Sequence, residues 1–401
     1  MTPPENLSPE DWWIGIKFAR EATYRATPIL DRDGRPFRYA LVDPLLEATS
    51  KVDRDASGRI EIGDEVTNPE NRDRYLISSL IEEAASSSIL EGAATTVQRA
   101  REMIRSGQEP RNKGERMILN NYIAMRRIQE LADEEMTPQT IFELHRILTE
   151  ETLKDPGAAG RLRRPGVPED DVVVMDPRDG TTLHVPPDAS ELPDRFTRMC
   201  AFANEEGSEI YFHPVLRAIL LHFWLAYDHP FTDGNGRTAR ALFYWSMLRQ
   251  GYWLTSFVSI SSILRKAPSR YAHSFLYSET DGNDVTYFVL DQLDVLRRAI
   301  DALHDYLARK TREIRAVERL LRPSAGMNHR QIALLGHAIR HPGGRYTYES
   351  HQSSHEVVYQ TARTDLLDLE RRGLLVKRKI GPRFVFRPVP DLVDRLRKLD
   401  E

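Results

Sequence analysis

Val215 to Gly251 reads VLRAILLHFWLAYDHPFTDGNGRTARALFYWSMLRQG. The part through Asp228 is apolar nearly all round, the mark of a helix buried on most sides. From Ala241 the chain reads as a second apolar helix, and it stops at Gly251, the residue type that commonly follows a helix end. Between them lies HPFTDGNGRTAR, His229 to Arg240. A loop pinned between two buried helices is a rigid platform, and this pair predicts a mostly α-helical domain built around it.

The composition of that loop is odd for a connector. Gly234, Asn235 and Gly236 immediately precede a helix, so several backbone N–H groups converge at its positive end and make a ready anion site. Arg237 and Arg240 are expected in the first helical turn, where cations are normally disfavoured. Two guanidinium groups there make sense if a polyanion is bound, because their forks match phosphate oxygens. Asp233 would repel phosphates unless a divalent cation bridged them, and one carboxylate with phosphate oxygens and waters is how Mg²⁺ is usually held. His229 is the one nearby group that ordinarily titrates near neutrality, which suits it to take a proton from an attacking hydroxyl. The residues point to metal-assisted chemistry on a nucleotide phosphate.

The rest of the chain frames this loop. At 401 residues it exceeds one ordinary core and implies two or three domains. With 40% hydrophobic and 29% charged residues it is globular, neither disordered nor membrane-embedded. No apolar run reaches the ~18 residues of a membrane span, and MTPPENLSPEDWW lacks the features of a secretory leader. The expectation is a cytoplasmic protein with no membrane contact. The lone Cys200 agrees, since it allows neither an intrachain disulfide nor a cysteine zinc site. Net charge is −4, unevenly spread: from Gly326 onward there are 14 Lys/Arg against 9 Asp/Glu, leaving 42 against 51 before it.

Residues 1–72 carry Trp12 and Trp13 and then DRDASGRIEIGDEV, which reads as turns around a short extended segment with no assignable chemistry. From Arg74 the spacing of Leu76, Leu80, Ile81, Ala84 and Ala85 is helical, and the helix is expected to stop at Gly92. Helices are predicted over 95–107 and 114–134, and another from Thr137 as N-cap with Pro138 at its first position. Val172 to Val174 and Thr181 to Val185, joined through Asp179-Gly180, read as a β-hairpin. Helices resume from Leu192 to beyond Ala308. His213 and His222 read as structural members of the buried helix, and the run Ser86 to Ser88 as tight helix packing.

HPFTDGNGRTAR matches, at every fixed position, the signature His-Pro-Phe-x-[Asp/Glu]-Gly-Asn-Gly-Arg-x-x-Arg of the Fic (Fido) family, and the chain resembles that family over about residues 75–290. The resemblance implies a Fic-type helical bundle over 73–320 that transfers AMP from ATP to a Tyr, Thr or Ser hydroxyl of a target protein or of the enzyme itself. It implies His229 as general base, Asp233 as the Mg²⁺ ligand and Gly234, Asn235 and Gly236 as the anion hole. Arg237 would contact the phosphates, Arg240 would hold the γ-phosphate, and Phe231 would anchor the loop. The hairpin sits where relatives carry a flap that aligns the target by strand pairing. Ser87, Glu91 and Gly92 match the family's inhibitory pattern [Ser/Thr]-x-x-x-Glu-[Gly/Asn], so a helix over about 75–91 resembles the N-terminal inhibitory helix of one class, with Glu91 pairing with Arg240. Members of that class sometimes remove AMP instead, and the sequence leaves addition and removal both open. Tyr271 stands where relatives have a Tyr-Tyr pair near the adenine, with Ala272 in the second place. Relatives often form homodimers, and nothing in the sequence fixes the oligomeric state.

RLLRPSAGMNHR, with Pro323 and Gly326, reads as a linker to a tail. Residues 326–401 read as three helices and a two-strand wing, which resembles a winged helix-turn-helix. Thr361, Arg363 and Thr364 would begin its recognition helix, with Lys377, Arg378, Lys379 and Arg383 on the wing. DNA and protein both stand as partners for such a tail. A DNA-binding regulator whose Fic core only senses nucleotide therefore remains the rival to the enzyme.

Overall fold

A computed structural model describes residues 3–57, 69–176, 179–206, 210–320, 326–340, 343–355, 357–380 and 383–398. The chain divides into two compact units, Met1–His304 and Asp305–Glu401. Among the described residues no helix is long and apolar enough to cross a membrane.

The first unit opens with α1 (Pro9–Arg20), capped by Ser8, whose Oγ accepts from the Asp11 N–H at 3.1 Å. An antiparallel hairpin of β1 (Tyr24–Leu30) and β2 (Pro36–Ala40) follows, then α2 (Asp43–Val52) and a π-helical turn over Asp53–Ser57. The extended segment expected within DRDASGRIEIGDEV lies, from residue 58 on, outside the described residues. The described N-terminal part belongs to this unit: Arg38 exchanges backbone bonds with Asn283 and Val285, and Asp31 accepts from Asn283 Nδ2 at 2.8 Å.

Four helices come next, α3 (Pro69–Leu90), α4 (Val97–Ser106), α5 (Lys113–Glu130) and α6 (Pro138–Thr149). The starts of α4, α5 and α6 follow from side-chain caps at Thr96, Asn112 and Thr137, each accepting an N–H three residues on. Helix α3 ends because Gly92 takes φ +89° and the Ala93 N–H closes back on the Ser88 carbonyl at 2.9 Å. Ala84 and Ala85 pack against Ile118 of α5, and Ser86, Ser87 and Ser88 are buried, so small residues let α3 and α5 approach closely.

Strands β3 (Val174–Met175) and β4 (Thr182–His184) pair antiparallel. They are shorter than the sequence suggests. A register shift interrupts pairing between Val174 and Met175, and Pro186 and Pro187 bring no N–H to prolong β4. Then follow α7 (Leu192–Ala203), α8 (Pro214–Asp228), α9 (Asn235–Arg249), α10 (Ile260–Leu264), α11 (Pro268–Thr280) and α12 (Thr286–Leu320), inside which the division between units falls. Helices α8 and α9 are buried at nearly every position and form the centre of the unit.

The second unit holds α13 (His329–Arg340), α14 (Tyr348–His355), α15 (Tyr359–Arg371), the antiparallel pair β5 (Leu375–Ile380) and β6 (Arg383–Pro388), and a short α16 (Leu392–Lys398) not anticipated from the sequence. Leu334, Leu335, Leu366, Leu369, Leu374 and Phe386 share its core. Within it Asp365 is buried and accepts from Arg330 Nε at 2.7 Å and Asn328 Nδ2 at 2.7 Å.

Candidate active site

His229 caps α8 in the left-handed region, φ 44° and ψ 54°, a strained setting for a residue with a side chain. Several bonds hold it there. Its N–H donates to the Leu225 carbonyl at 3.1 Å, and its own carbonyl accepts from Nε of the buried Arg163 at 2.8 Å. Just before it, the wholly buried Asp228 accepts from Arg195 Nη1 and Trp224 Nε1, each at 3.0 Å. Burial pushes the Asp228 carboxyl up to about 7, against the pull of Arg195. Arg195 also donates to the Leu30 and Asp31 carbonyls at 2.8 Å, which ties the N-terminal hairpin to the residue beside His229.

Burial first, with help from the nearby His184 and Arg163 and against the charge of Glu91, lowers the His229 imidazole to about 4. The ring is therefore neutral at pH 7.

In the signature loop the side chain of Asn235 clamps Phe231 reciprocally, accepting from its N–H at 2.9 Å and donating to its carbonyl at 2.7 Å. Asn235 thus contributes its backbone, not its amide, to the helix end. Gly234 is required: at φ +82° its absent Cβ would lie 2.7 Å from Thr149 Cγ2. Helix α9 begins only after it, so Arg237 falls in the first turn and Arg240 in the second, not both in the first as the spacing suggested. The Gly234 N–H is taken by Asp233 Oδ1 at 2.6 Å, and the half-exposed Asp233 carboxylate also lies 3.7 Å from Arg237 Nη2. Both guanidinium groups are buried. Arg237 Nη1 donates to the Leu148 carbonyl at 2.6 Å; among the described residues neither its Nε nor Arg240 Nη1 has a hydrogen-bond partner.

Glu91 reaches the same turn. Its Oε1 accepts from Arg240 Nη2 at 2.9 Å, and Arg240 also donates to Ser87, through Nε to Oγ at 2.9 Å and Nη2 to the carbonyl at 3.1 Å. Burial opposes the Arg240 charge, yet Glu91 and neighbouring groups hold its proton more tightly than usual. The Glu91 carboxylate fills the place where a Cβ on Gly236 would stand, directly at the N-terminus of α9. Upstream, the buried Glu83 fastens α3 by accepting from Ser259 Oγ at 2.8 Å and from the Ser261 N–H at 3.0 Å.

Residues 135–247, which contain this loop, match the model of the Fic/DOC family. Over that stretch the chain is similar to the Fic/DOC family. It is 33% identical over 180 residues to "Protein adenylyltransferase Fic" of Drosophila virilis, covering 45% of this chain and 32% of that one. It is 30% identical over 178 residues to the protein of the same name in Nematostella vectensis, covering 44% and 36%. The chain thus spans only about a third of the curated relatives it matches. In structure it resembles a Fic family protein from Desulfovibrio desulfuricans, with TM-score 0.59, 16% identity and coverage of 88% of this chain and 98% of that one. It also resembles a Fic domain containing signaling protein from Bacteroides thetaiotaomicron, with TM-score 0.50, 21% identity and coverage of 66% and 98%. At these identities the structural likeness is one of fold.

Several residues of this site carry little signal in the sequence. His145 of α6 stacks on Phe231 with centroids 3.7 Å apart and bonds the Asp233 carbonyl at 2.9 Å, and burial lowers its imidazole to about 4. Its one signal was a histidine on the buried face of an amphipathic helix. Arg163 and His184 gave no signal, because both act on carbonyls of the α8 terminus far away in sequence: His184 Nε2 bonds the Tyr227 carbonyl at 2.7 Å. Tyr271 turns its hydroxyl to His222 Nε2, 2.8 Å away, and lies within electrostatic reach of Arg240. His213 caps α8 through Nδ1 and reaches Asp53 with Nε2 at 3.0 Å. Beside the hairpin, segments 163–172 and 185–191 enclose a cleft of about 580 Å³.

In the second unit, Thr361, Arg363 and Thr364 lie in the first two turns of α15, and Lys377, Arg378 and Lys379 on β5. Arg330, Arg372 and Arg395 each pair with an aspartate, whereas Arg363, Lys377, Arg378 and Lys379 form no salt bridge with a described carboxylate, and Arg383 acts electrostatically on Glu349. Lys377 instead lies over the Phe384 ring, 4.3 Å from its centroid.

Proposed function

We propose that this chain is a protein adenylyltransferase, moving AMP from ATP to a Tyr, Thr or Ser hydroxyl of a target protein or of itself, and restrained in cis by Glu91. The observation that carries this reading is the environment of Arg240: a buried guanidinium beside a helix N-terminus, with Nη1 unpartnered and Nη2 held by a carboxylate. A buried orphan donor is costly, and a phosphate oxygen would satisfy it. In the transfer, the target's hydroxyl oxygen bonds to the α-phosphorus while the bond from that phosphorus to the bridging oxygen breaks and pyrophosphate leaves. His229, neutral and strained into place, takes the hydroxyl proton. The N–H groups of Asn235 and Gly236, orphaned by their first-turn position, and the guanidinium groups of Arg237 and Arg240 receive the phosphate charge.

Among the described residues no three His, Cys, Asp or Glu side chains gather as a metal cage. One half-exposed carboxylate at Asp233 beside a phosphate site instead suits Mg²⁺, which takes one or two carboxylates with phosphate oxygens and water. When bound, Mg²⁺ would neutralise phosphate charge in the transition state. The hairpin β3–β4 and the adjoining cleft are where the segment bearing the hydroxyl would lie. A carboxylate at the entrance to α9 competes with phosphate for the same donors, and so Glu91 restrains turnover.

Labelled ATP tests this. Glu91→Gly should raise AMP incorporation about ten- to a hundred-fold, the equivalent of a charged hydrogen bond of about 1.5–3 kcal/mol. Adding His229→Ala should abolish it. Equal incorporation by the single and double variants would refute the assignment of the base.

The unpaired cations of the second unit favour a further reading of the tail as a winged helix that binds nucleic acid, because cations left free of carboxylates are available to phosphates.

A further inference from the structure

Helix α6 is the floor of the signature loop. Leu148 accepts from Arg237, Thr149 forces glycine at 234, and His145, one turn earlier, reaches Asp233. The His145 ring is bracketed by partners of fixed character. The Gly160 N–H donates to Nδ1 at 2.8 Å, so Nδ1 is an acceptor, and the Asp233 carbonyl 2.9 Å from Nε2 accepts, so Nε2 bears the hydrogen.

The carbonyl it grips belongs to the same peptide unit as the Gly234 N–H, which in turn holds Asp233 Oδ1 at 2.6 Å. A peptide unit is planar. Fixing the C=O on one edge therefore fixes the direction of the N–H on the other, and with it the Asp233 carboxylate. We propose that His145 is a positioning residue for Asp233, setting through this peptide plane where its carboxylate presents to a divalent cation at the phosphate site. The proposal rests on the reading of Asp233 as the cation's ligand.

The two ring nitrogens can be tested separately. The amide of Gln reaches about as far as Nε2 and can keep the bond to Asp233, whereas that of Asn reaches only about as far as Nδ1 and can keep the bond to Gly160. Both lose the stack on Phe231. In the full chain carrying Glu91→Gly, Mn²⁺ affinity is measured by electron paramagnetic resonance with a non-hydrolysable α,β-methylene ATP present, alongside the Mn²⁺ dependence of AMP incorporation and thermal melting. His145→Asn should weaken Mn²⁺ binding about ten- to a hundred-fold, the range seen when an outer partner of a metal ligand is lost. His145→Gln should stay within about threefold of the parent, with melting lowered equally in both. Equal Mn²⁺ affinity in the Asn and Gln variants, whether lowered or not, overturns the proposal while Asp233→Asn still weakens binding. If Asp233→Asn leaves Mn²⁺ affinity unchanged, the assignment of the cation ligand fails and takes the proposal with it.

Discussion

The Glu91 carboxylate stands in the space that a side chain on Gly236 would need, and its Oε1 lies 2.9 Å from Arg240 Nη2. Residues far apart in sequence thus compete for one small volume at the start of α9. The helix that brings Glu91 there is anchored along its length, by Glu83 on the Ser259 and Ser261 groups and by Ser88 Oγ on the Met117 carbonyl at 3.1 Å.

Gly236→Ala should cost much less once Glu91 is gone. With Glu91 replaced by Gly, the nearest atom left to a Cβ at 236 is Arg240 Nη1, at 3.1 Å, and the gain from replacing a poor helix former offsets that crowding. With Glu91 present the alanine also displaces a charged hydrogen bond of about 1.5–3 kcal/mol. Urea unfolding of the four proteins in this cycle measures the coupling; an equal effect of the alanine in both backgrounds would refute the shared volume.

The pH dependence follows from His229. A general base must be unprotonated, and burial has lowered this imidazole to about 4. Incorporation by the Glu91→Gly protein should stay level from pH 8 to about 6 and fall only as pH drops toward 4. Removing Glu91, whose charge raises the value, shifts the fall no higher. Half-maximal activity near the ordinary histidine value of about 6.5 would show that the ring is not buried as described.

Arg195→Ala leaves Asp228 buried beside His229 and releases the Leu30 and Asp31 carbonyls. Breaking a buried pair from one side costs about 3–5 kcal/mol, and AMP incorporation should fall with it because Asp228 precedes the strained residue. A loss below about 1 kcal/mol in denaturant titration would mean that the pair is not a strut of the site.

The second unit makes a salt-dependent prediction. If its free cations meet phosphates, the full chain binds duplex DNA, and Lys377→Ala with Arg378→Ala reduces the slope of log K against log salt by about 0.9 for each phosphate no longer neutralised. Lack of binding at low salt, or a slope unchanged by the two substitutions, points the unit toward a protein partner.

Much of the site was legible because its signals are local. The buried pair α8 and α9, the caps at Thr137 and Pro138, the stop at Gly92 and the charges of Asp233, Arg237 and Arg240 each declare themselves within a few residues. What escaped was contact between distant segments. Nothing local to His145, Arg163 or Arg195 sets them apart, and the resemblance assigns Asn235 to an anion hole rather than to a clamp on Phe231.

By itself, then, the sequence determined which groups are available: a histidine, a carboxylate, two arginines and a glycine-rich turn at the head of a helix, on a mostly helical frame. The tertiary structure decided what state those groups are in. Burial makes His229 and His145 neutral, carbonyls from three segments hold Arg163 and Arg195, and Glu91 lies over the helix end. Residue types and local spacing are written in the chain, whereas desolvation and charge pairing depend on distances across the fold, which only packing sets.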